Sequence, residues 1–194
     1  MTLTFDDGPH PDGTPAVLEA LGEHRAVFFM VGEQVERYPS LAADVAQAGH
    51  GIALHGYRHR NQMRVTPGWL ADDLRRGAAA IADATGAEPT LYRPPYGIFT
   101  PAGLALSRSY ERLLWSKWGR DWRARTTPEE IARLATRDLS AGDVILLHDA
   151  DWYSAEGSHR RTAAAIPMIL EKLYPTGSGS AASASNAGAR SQSM

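Results

Sequence analysis

The chain has no cysteine in its 194 residues. That excludes disulfides and thiolate metal sites, and is compatible with either the cytoplasm or export. No stretch reaches the roughly 18 apolar residues of a membrane-spanning helix, and no signal peptide is expected in it. No run of one charge sign stands out, and the formal net charge is −2. A concentrated basic face for nucleic acid or a membrane surface is therefore not expected. There is no internal repeat.

What is present is ordinary for one globular domain: 43% hydrophobic and 22% charged residues, on a length that supports a sizeable core. The last twenty residues differ, with Ser, Gly and Ala filling fourteen positions. Such a segment buries too little apolar surface to offset its ordering entropy. The expected organisation is a domain over 1–174 and a flexible tail over 175–194.

Short apolar runs alternate with helical patterns. TLTF (2–5), AVFFMV (26–31), GIAL (51–54), TLY (90–92), RLLW (112–115) and DVILLH (143–148) read as strands. Helices are predicted over Thr14–Glu23 and Tyr38–Gln47, and on the stripe Leu70, Leu74, Ala78 and Ile81 after Thr66-Pro67. Another opens at Thr127-Pro128 with Ile131, Leu134 and Ala135 inward, and Ile166, Ile169, Leu170 and Leu173 stripe the last. Pro167 is expected to start or kink the last one. Alternation of this kind implies parallel strands joined by right-handed crossovers. A barrel, closed or incomplete, and a doubly wound sheet both fit, and both put the active site at the carboxyl ends of the strands.

The distinctive polar residues collect at that rim. Asp6 and Asp7 follow the first strand, His55 and His59 the third, and Arg93 and Tyr96 the fourth. Asp121 and Trp122 follow the fifth, and His148 ends the last. Two histidines at i, i+4 point the same way on a helix or tight turn, and with one carboxylate they hold a divalent cation. If one aspartate of the pair is a ligand, the cation offsets the repulsion between neighbours, and the other is free to take a proton from water. Gly8-Pro9 would turn the chain so that both acids face one pocket. Arg93 would orient an aspartate, and the rigid Pro94-Pro95-Tyr96-Gly97 loop would offer a backbone N–H to an oxyanion. Taken singly, each residue has an ordinary alternative: a turn, a surface cation, a satisfied core histidine.

In this order TFDDGP, HGYRH, RPPYG, RDW and ILLHD resemble the five motifs of the polysaccharide deacetylases, the NodB-homology enzymes of carbohydrate esterase family 4. AVFFMVG resembles the second strand of that family. The resemblance covers residues 2 to about 173. It implies a single α/β domain folded as a distorted (β/α) barrel, closed or incomplete, that removes N- or O-acetyl groups from sugars with a metal ion. By motif position Asp6 is similar to the catalytic base, and Asp7, His55 and His59 to the metal ligands. Arg93 resembles the residue that positions the base, the N–H of Tyr96 the oxyanion donor, and His148 the acid, with Asp121 as its charge partner. Trp122 and Leu146 resemble the walls around the acetyl methyl. The implied cofactor is one divalent ion, zinc first, with cobalt, nickel or iron also fitting such ligands. The implied partner is a glycan or amino sugar, and a monomer is expected. The second motif has Gly56 where the family has Ser or Thr, and Trp118 and Gly119 stand where the fourth usually begins with an acid. These departures weaken the expected support of the metal loop and of Asp121.

The expected substrates are chitin oligomers or peptidoglycan-like glycans. Acetylated xylan and small or lipid-linked amino sugars are alternatives, as is a catalytically silent carbohydrate-binding domain. Of Trp69, Trp115, Trp118, Trp122 and Trp152, at least half are expected in the core and the rest as sugar platforms. The loop 148–161 is expected to border the substrate, with Asp149, Asp151, Arg160 and Arg161 offered to a charged group. The compartment is secreted or cell-envelope if an upstream export segment was removed, and cytoplasmic otherwise.

Overall fold

The computed structural model of the chain describes residues 1–175. The tail expected over 175–194 lies, but for Pro175, outside the described residues. Seven strands form one sheet: β1 (Thr2–Asp6), β2 (Val27–Met30), β3 (Gly51–Leu54), β4 (Leu91–Tyr92), β5 (Glu111–Arg112), β6 (Lys117–Trp118) and β7 (Val144–His148). Their order is β5-β4-β3-β2-β1-β7-β6, and every pairing is parallel. Read in a circle, this is the order of the chain itself, interrupted only between β5 and β6. The sheet is thus an incomplete (β/α) barrel, and the doubly wound alternative is excluded.

The gap has a local cause. Parallel neighbours need a crossover of a dozen or more residues, and only Leu113–Ser116 separate β5 from β6. Of the RLLW segment, expected as one strand over 112–115, Arg112 ends β5 and Leu113–Trp115 belong to this connector. Its ends stay tied to opposite edges of the sheet: Leu113 N–H donates to the Tyr92 carbonyl (3.2 Å) and Ser116 N–H to the Val144 carbonyl (3.0 Å). Three residues of chain span at most about 11 Å, so the sheet must curl until its edges nearly meet. The motif residues Asp121 and Trp122 therefore follow β6, a two-residue strand that carries no sequence pattern.

The helices are α1 (Gly13–Leu21), α2 (Gly32–Arg37), α3 (Pro39–Gln47), α4 (Pro67–Thr85), α5 (Pro101–Leu106), α6 (Pro128–Ala135) and α7 (Ser158–Leu173). Thr66, Thr100 and Thr127 cap α4, α5 and α6, each hydroxyl accepting from an N–H three residues on, with Pro at the first helical position. Thr14 breaks the same Thr-Pro expectation. It lies inside α1, and its hydroxyl donates to the Asp149 carboxylate (2.5 Å). Pro167 sits within α7 and does not start it. The core lies between the sheet and its helices. Phe5 of the central β1 stacks on Phe28 at 5.1 Å, with Leu21, Ile145, Leu147, Ile166 and Ile169 buried around them. None of the five tryptophans is buried. Phe, Leu and Ile fill the interior, and the indoles stand at the surface and rim. Among the described residues no helix is long and apolar enough to cross a membrane.

Candidate active site

A cavity of about 340 Å³ opens at the carboxyl ends of the strands. Asp6, Asp7, His55, His59, Tyr96, Trp122, Leu146 and His148 line it, together with Trp115, Tyr153 and Ser154. Arg93 and Asp121 stand immediately behind, both fully buried. Every residue that the motifs placed in the catalytic site is thus in or against one cavity.

The two adjacent acids reach it by a backbone device. Successive side chains of a strand point to opposite faces, so Asp6 and Asp7 in continued β conformation would diverge. Asp7 instead has φ +81°, in the left-handed region that Asp tolerates better than most residues. The turn therefore begins at Asp7 itself, before Gly8-Pro9. Tyr96 also has positive φ (+62°). Such strain is held where the surrounding structure fixes it, as at a functional loop.

Asp7, His55 and His59 bring one potential ligand atom each within 4.8 Å of the others. The Nδ1 of His55 lies 2.8 Å from the Arg93 carbonyl, so Nδ1 carries the proton and donates, leaving a bare lone pair on Nε2. That Nε2 faces Asp7 Oδ1 at 3.5 Å, and the His59 Nε2 faces the same oxygen at 3.3 Å. Asp7 Oδ1 is buried with no hydrogen-bond partner. An unpartnered buried carboxylate oxygen with two imidazole nitrogens converging on it is an arrangement that a cation reconciles, and the set of two imidazoles and a carboxylate suits zinc or a neighbour of it.

Burial lowers the pKa values of His55 and His59 to about 3, so both imidazoles are neutral across the ordinary pH range and free to act as ligands. Burial pushes Asp7 up to about 7, opposed by His148 and reinforced by Asp6. A cation bound there below neutrality would therefore have to displace one proton, from Asp7. Apparent zinc affinity falls about tenfold per pH unit below 7 and levels off above it. A competition titration against a chromophoric chelator from pH 5 to 8 checks this, and a slope of two protons would show that a histidine is also protonated.

Asp6 faces the same space. Its Oδ1 accepts from Arg93 Nη1 at 2.6 Å, and Oδ2 lies 3.7 Å from His55 Nε2. Arg93 is held in turn by Thr4 Oγ1 (3.0 Å) and the Leu113 carbonyl (2.9 Å), with its guanidinium 3.9 Å over the Phe29 ring. Burial raises the Asp6 pKa, and Arg93 offsets this only in part. Across the cavity, Asp121 Oδ1 lies 3.1 Å from His148 Nδ1. Its Oδ2 accepts from the His148 N–H (2.7 Å) and the Thr162 hydroxyl (2.8 Å). Burial works against the imidazolium, but Asp121, Asp7 and Asp6 outweigh it and lift His148 to about 10. Thr162 supplies second support to Asp121 where the family's extra acid is missing.

The loss of a hydroxyl at Gly56 is also answered. Gly56 has φ +83°, and a Cβ there would meet the Asp73 carboxylate at 2.8 Å. Asp73, buried on α4, accepts from the N–H groups of Tyr57 and Arg58, both at 2.9 Å. A carboxylate thus braces the turn between the two histidines. Sequence reasoning passed over Asp73, because it reads as one more polar residue on a helix.

The 148–161 loop does border the cavity, through Tyr153 and Ser154. The Tyr153 ring stacks on His59 at 4.2 Å and its hydroxyl donates to Glu33 (2.9 Å). Of the four charged residues offered to substrate, Arg160 is exposed and does not line the cavity, and the other three do other work. Asp149 is buried against Thr14. Asp151 lies 3.2 Å from both His10 and His159, and His10 Nδ1 accepts the N–H groups of Asp12 and Gly13. Arg161 donates to backbone carbonyls of Gly157 and Arg123. Together these contacts clamp the loop that presents Tyr153.

Comparison with known proteins agrees with this geometry. A family model described as polysaccharide deacetylase matches residues 1–112. A peptidoglycan-N-acetylglucosamine deacetylase of Bacillus cereus is 34% identical over 184 residues, covering 91% of this chain and 83% of that one. A chitooligosaccharide deacetylase of Bradyrhizobium is 38% identical over 152 residues, covering 76% and 69%. Among solved structures, a family 4 acetyl xylan esterase from Clostridium thermocellum in complex with a cobalt ion superposes with a TM-score of 0.83 at 26% identity, covering 91% and 84%.

Proposed function

The chain belongs to the polysaccharide deacetylase family, hydrolases that act on N-acetylated sugars, and on that premise we propose that it hydrolyses the acetamide of N-acetylated amino sugars in a glycan, giving a free amine and acetate. The observation that carries the reading is the opposition of two differently tuned groups across one cavity. Asp6 is paired with Arg93, His148 is paired with Asp121, and the Asp7–His55–His59 group lies at the same cavity wall.

When held by Asp7, His55 and His59, a divalent ion supplies Lewis-acid polarisation of the acetyl carbonyl and a lowered pKa for water. Asp6 takes a proton from the attacking water; its raised pKa makes it a stronger base than an ordinary carboxylate. Arg93 holds that carboxylate in one orientation. The Tyr96 N–H donates to the carbonyl oxygen as it becomes anionic. The C–N bond breaks as His148, protonated at neutral pH, gives a proton to the leaving nitrogen. Trp122 and Leu146 enclose the acetyl methyl.

The amine is a poor leaving group, so the acid should matter in proportion. His148→Gln lowers kcat on an N-acetylated oligomer by about 10²-fold or more. It costs far less on 4-nitrophenyl acetate, whose leaving group needs no proton. Equal losses on both would remove His148 as the acid.

The reading is tested by acetate release from chitin oligomers, a peptidoglycan glycan fragment, acetylated xylan and monomeric N-acetylglucosamine. Release is expected from the N-acetylated oligomers, lost with a chelator and restored by zinc or cobalt. Release from acetylated xylan alone would support an O-acetyl esterase, and glycan binding without any turnover a silent binding domain.

A further inference from the structure

A second cleft of about 640 Å³ adjoins the catalytic cavity and shares His59 and Tyr96 with it. Its wall is the stretch between the metal-site turn and α4, which contributes Arg58, Arg60 and Arg64, with Trp69 from the first turn of that helix. No carboxylate lines it, although acids outnumber bases in the chain as a whole. Three like charges in one concavity are therefore a local concentration and not the protein's background. Arg58 stands 3.8 Å from the Glu33 carboxylate at its edge; Arg60 and Arg64 have no ion-pair partner among the described residues. All three are exposed, so their guanidiniums are available to a ligand.

We propose that this cleft is a subsite for an anionic sugar, a residue bearing a carboxylate next to the one that is deacetylated. The position rests on the glycan-deacetylase reading, since continuity through His59 and Tyr96 is what puts a neighbouring sugar there. The chemistry rests on the cleft alone. Guanidinium forks match carboxylates in charge and geometry, and a concavity lined by one sign of charge concentrates the opposite sign. Tyr96, 57% exposed, and Trp69 supply aromatic faces for the rings. A neutral glycan would leave Arg60 and Arg64 without a charged partner.

The test uses N-acetylated oligomers of one length in which alternate sugars carry a lactyl-ether carboxylate, and the same oligomers with that carboxylate amidated. Affinity is measured by calorimetry in the Asp6→Asn protein, to suppress turnover, and kcat/KM in the zinc-loaded wild type. The carboxylated oligomer is expected to bind about tenfold better than the amidated one, with the preference shrinking in high salt. R60Q/R64Q, made in both backgrounds, reduces the preference to about twofold or less; both side chains are exposed, and an unchanged thermal midpoint verifies folding. Equal affinity for the two oligomers, or a preference that survives R60Q/R64Q, overturns the proposal. A binding preference that depends on the arginines, in a protein that releases no acetate, would sink the deacetylase reading and leave the subsite standing. Acetate release without the preference would do the reverse. A third oligomer carrying the carboxylate as a uronic acid tells the two sources of that charge apart.

Discussion

Asp6→Asn should lower acetate release by about 10³-fold while leaving the metal in place. The substitution keeps size and shape, and Asp7, His55 and His59 are untouched. What disappears is the basic oxygen, whose pKa burial has raised and whose orientation Arg93 fixes at 2.6 Å. Arg93 is fully buried, and an asparagine oxygen still accepts from it without neutralising it. Stability should therefore fall too, by about 2 kcal/mol. Metal analysis, acetate assay and thermal unfolding on the same sample separate these effects. Lost turnover with full metal content supports Asp6 as the base; lost metal would make it a ligand instead.

Asp7→Ala should act in the opposite order. A four-ligand zinc site is worth roughly 10–16 kcal/mol, or about 3 kcal/mol per ligand, so losing one of three ligands costs about a hundredfold in affinity. Turnover falls with it. In the metal-free protein the sign reverses. Burial is what most disfavours the Asp7 carboxylate, and Asp6, Asp149 and Asp121 add repulsion that His148 opposes; its removal relieves that net cost. The metal-free variant should therefore melt above the metal-free wild type, and zinc should no longer raise its midpoint. Full zinc occupancy in Asp7→Ala would contradict the assignment of ligands.

The sequence carried the rim of this site because strand ends are readable. Asp6, His55, Arg93 and His148 each end or directly follow an apolar run, and a parallel sheet aligns such ends whatever the details of the loops. It carried less of the barrel's opening. The strands β5 and β6 have two residues each, too short for a period, and the gap between them follows from connector length. The short helices α2 and α5 had no stripe long enough to register. Trp115 was read as the end of a strand, yet it reaches the cavity from the connector across the gap. Tyr153 was invisible for a different reason. Its place over His59 depends on Asp151, His10 and His159, residues far apart in sequence whose meeting only the folded chain supplies. Gly56 read as a lost support, and the compensating carboxylate of Asp73 lies on another element.

The most direct test of the account counts two products at once: acetate and free amino groups, released by the zinc-loaded protein from an N-acetylglucosamine oligomer. The account predicts one amine for each acetate, with both falling to background in Asp6→Asn and in the chelated enzyme. Acetate without matching amine, or release that continues unchanged in Asp6→Asn, would contradict it.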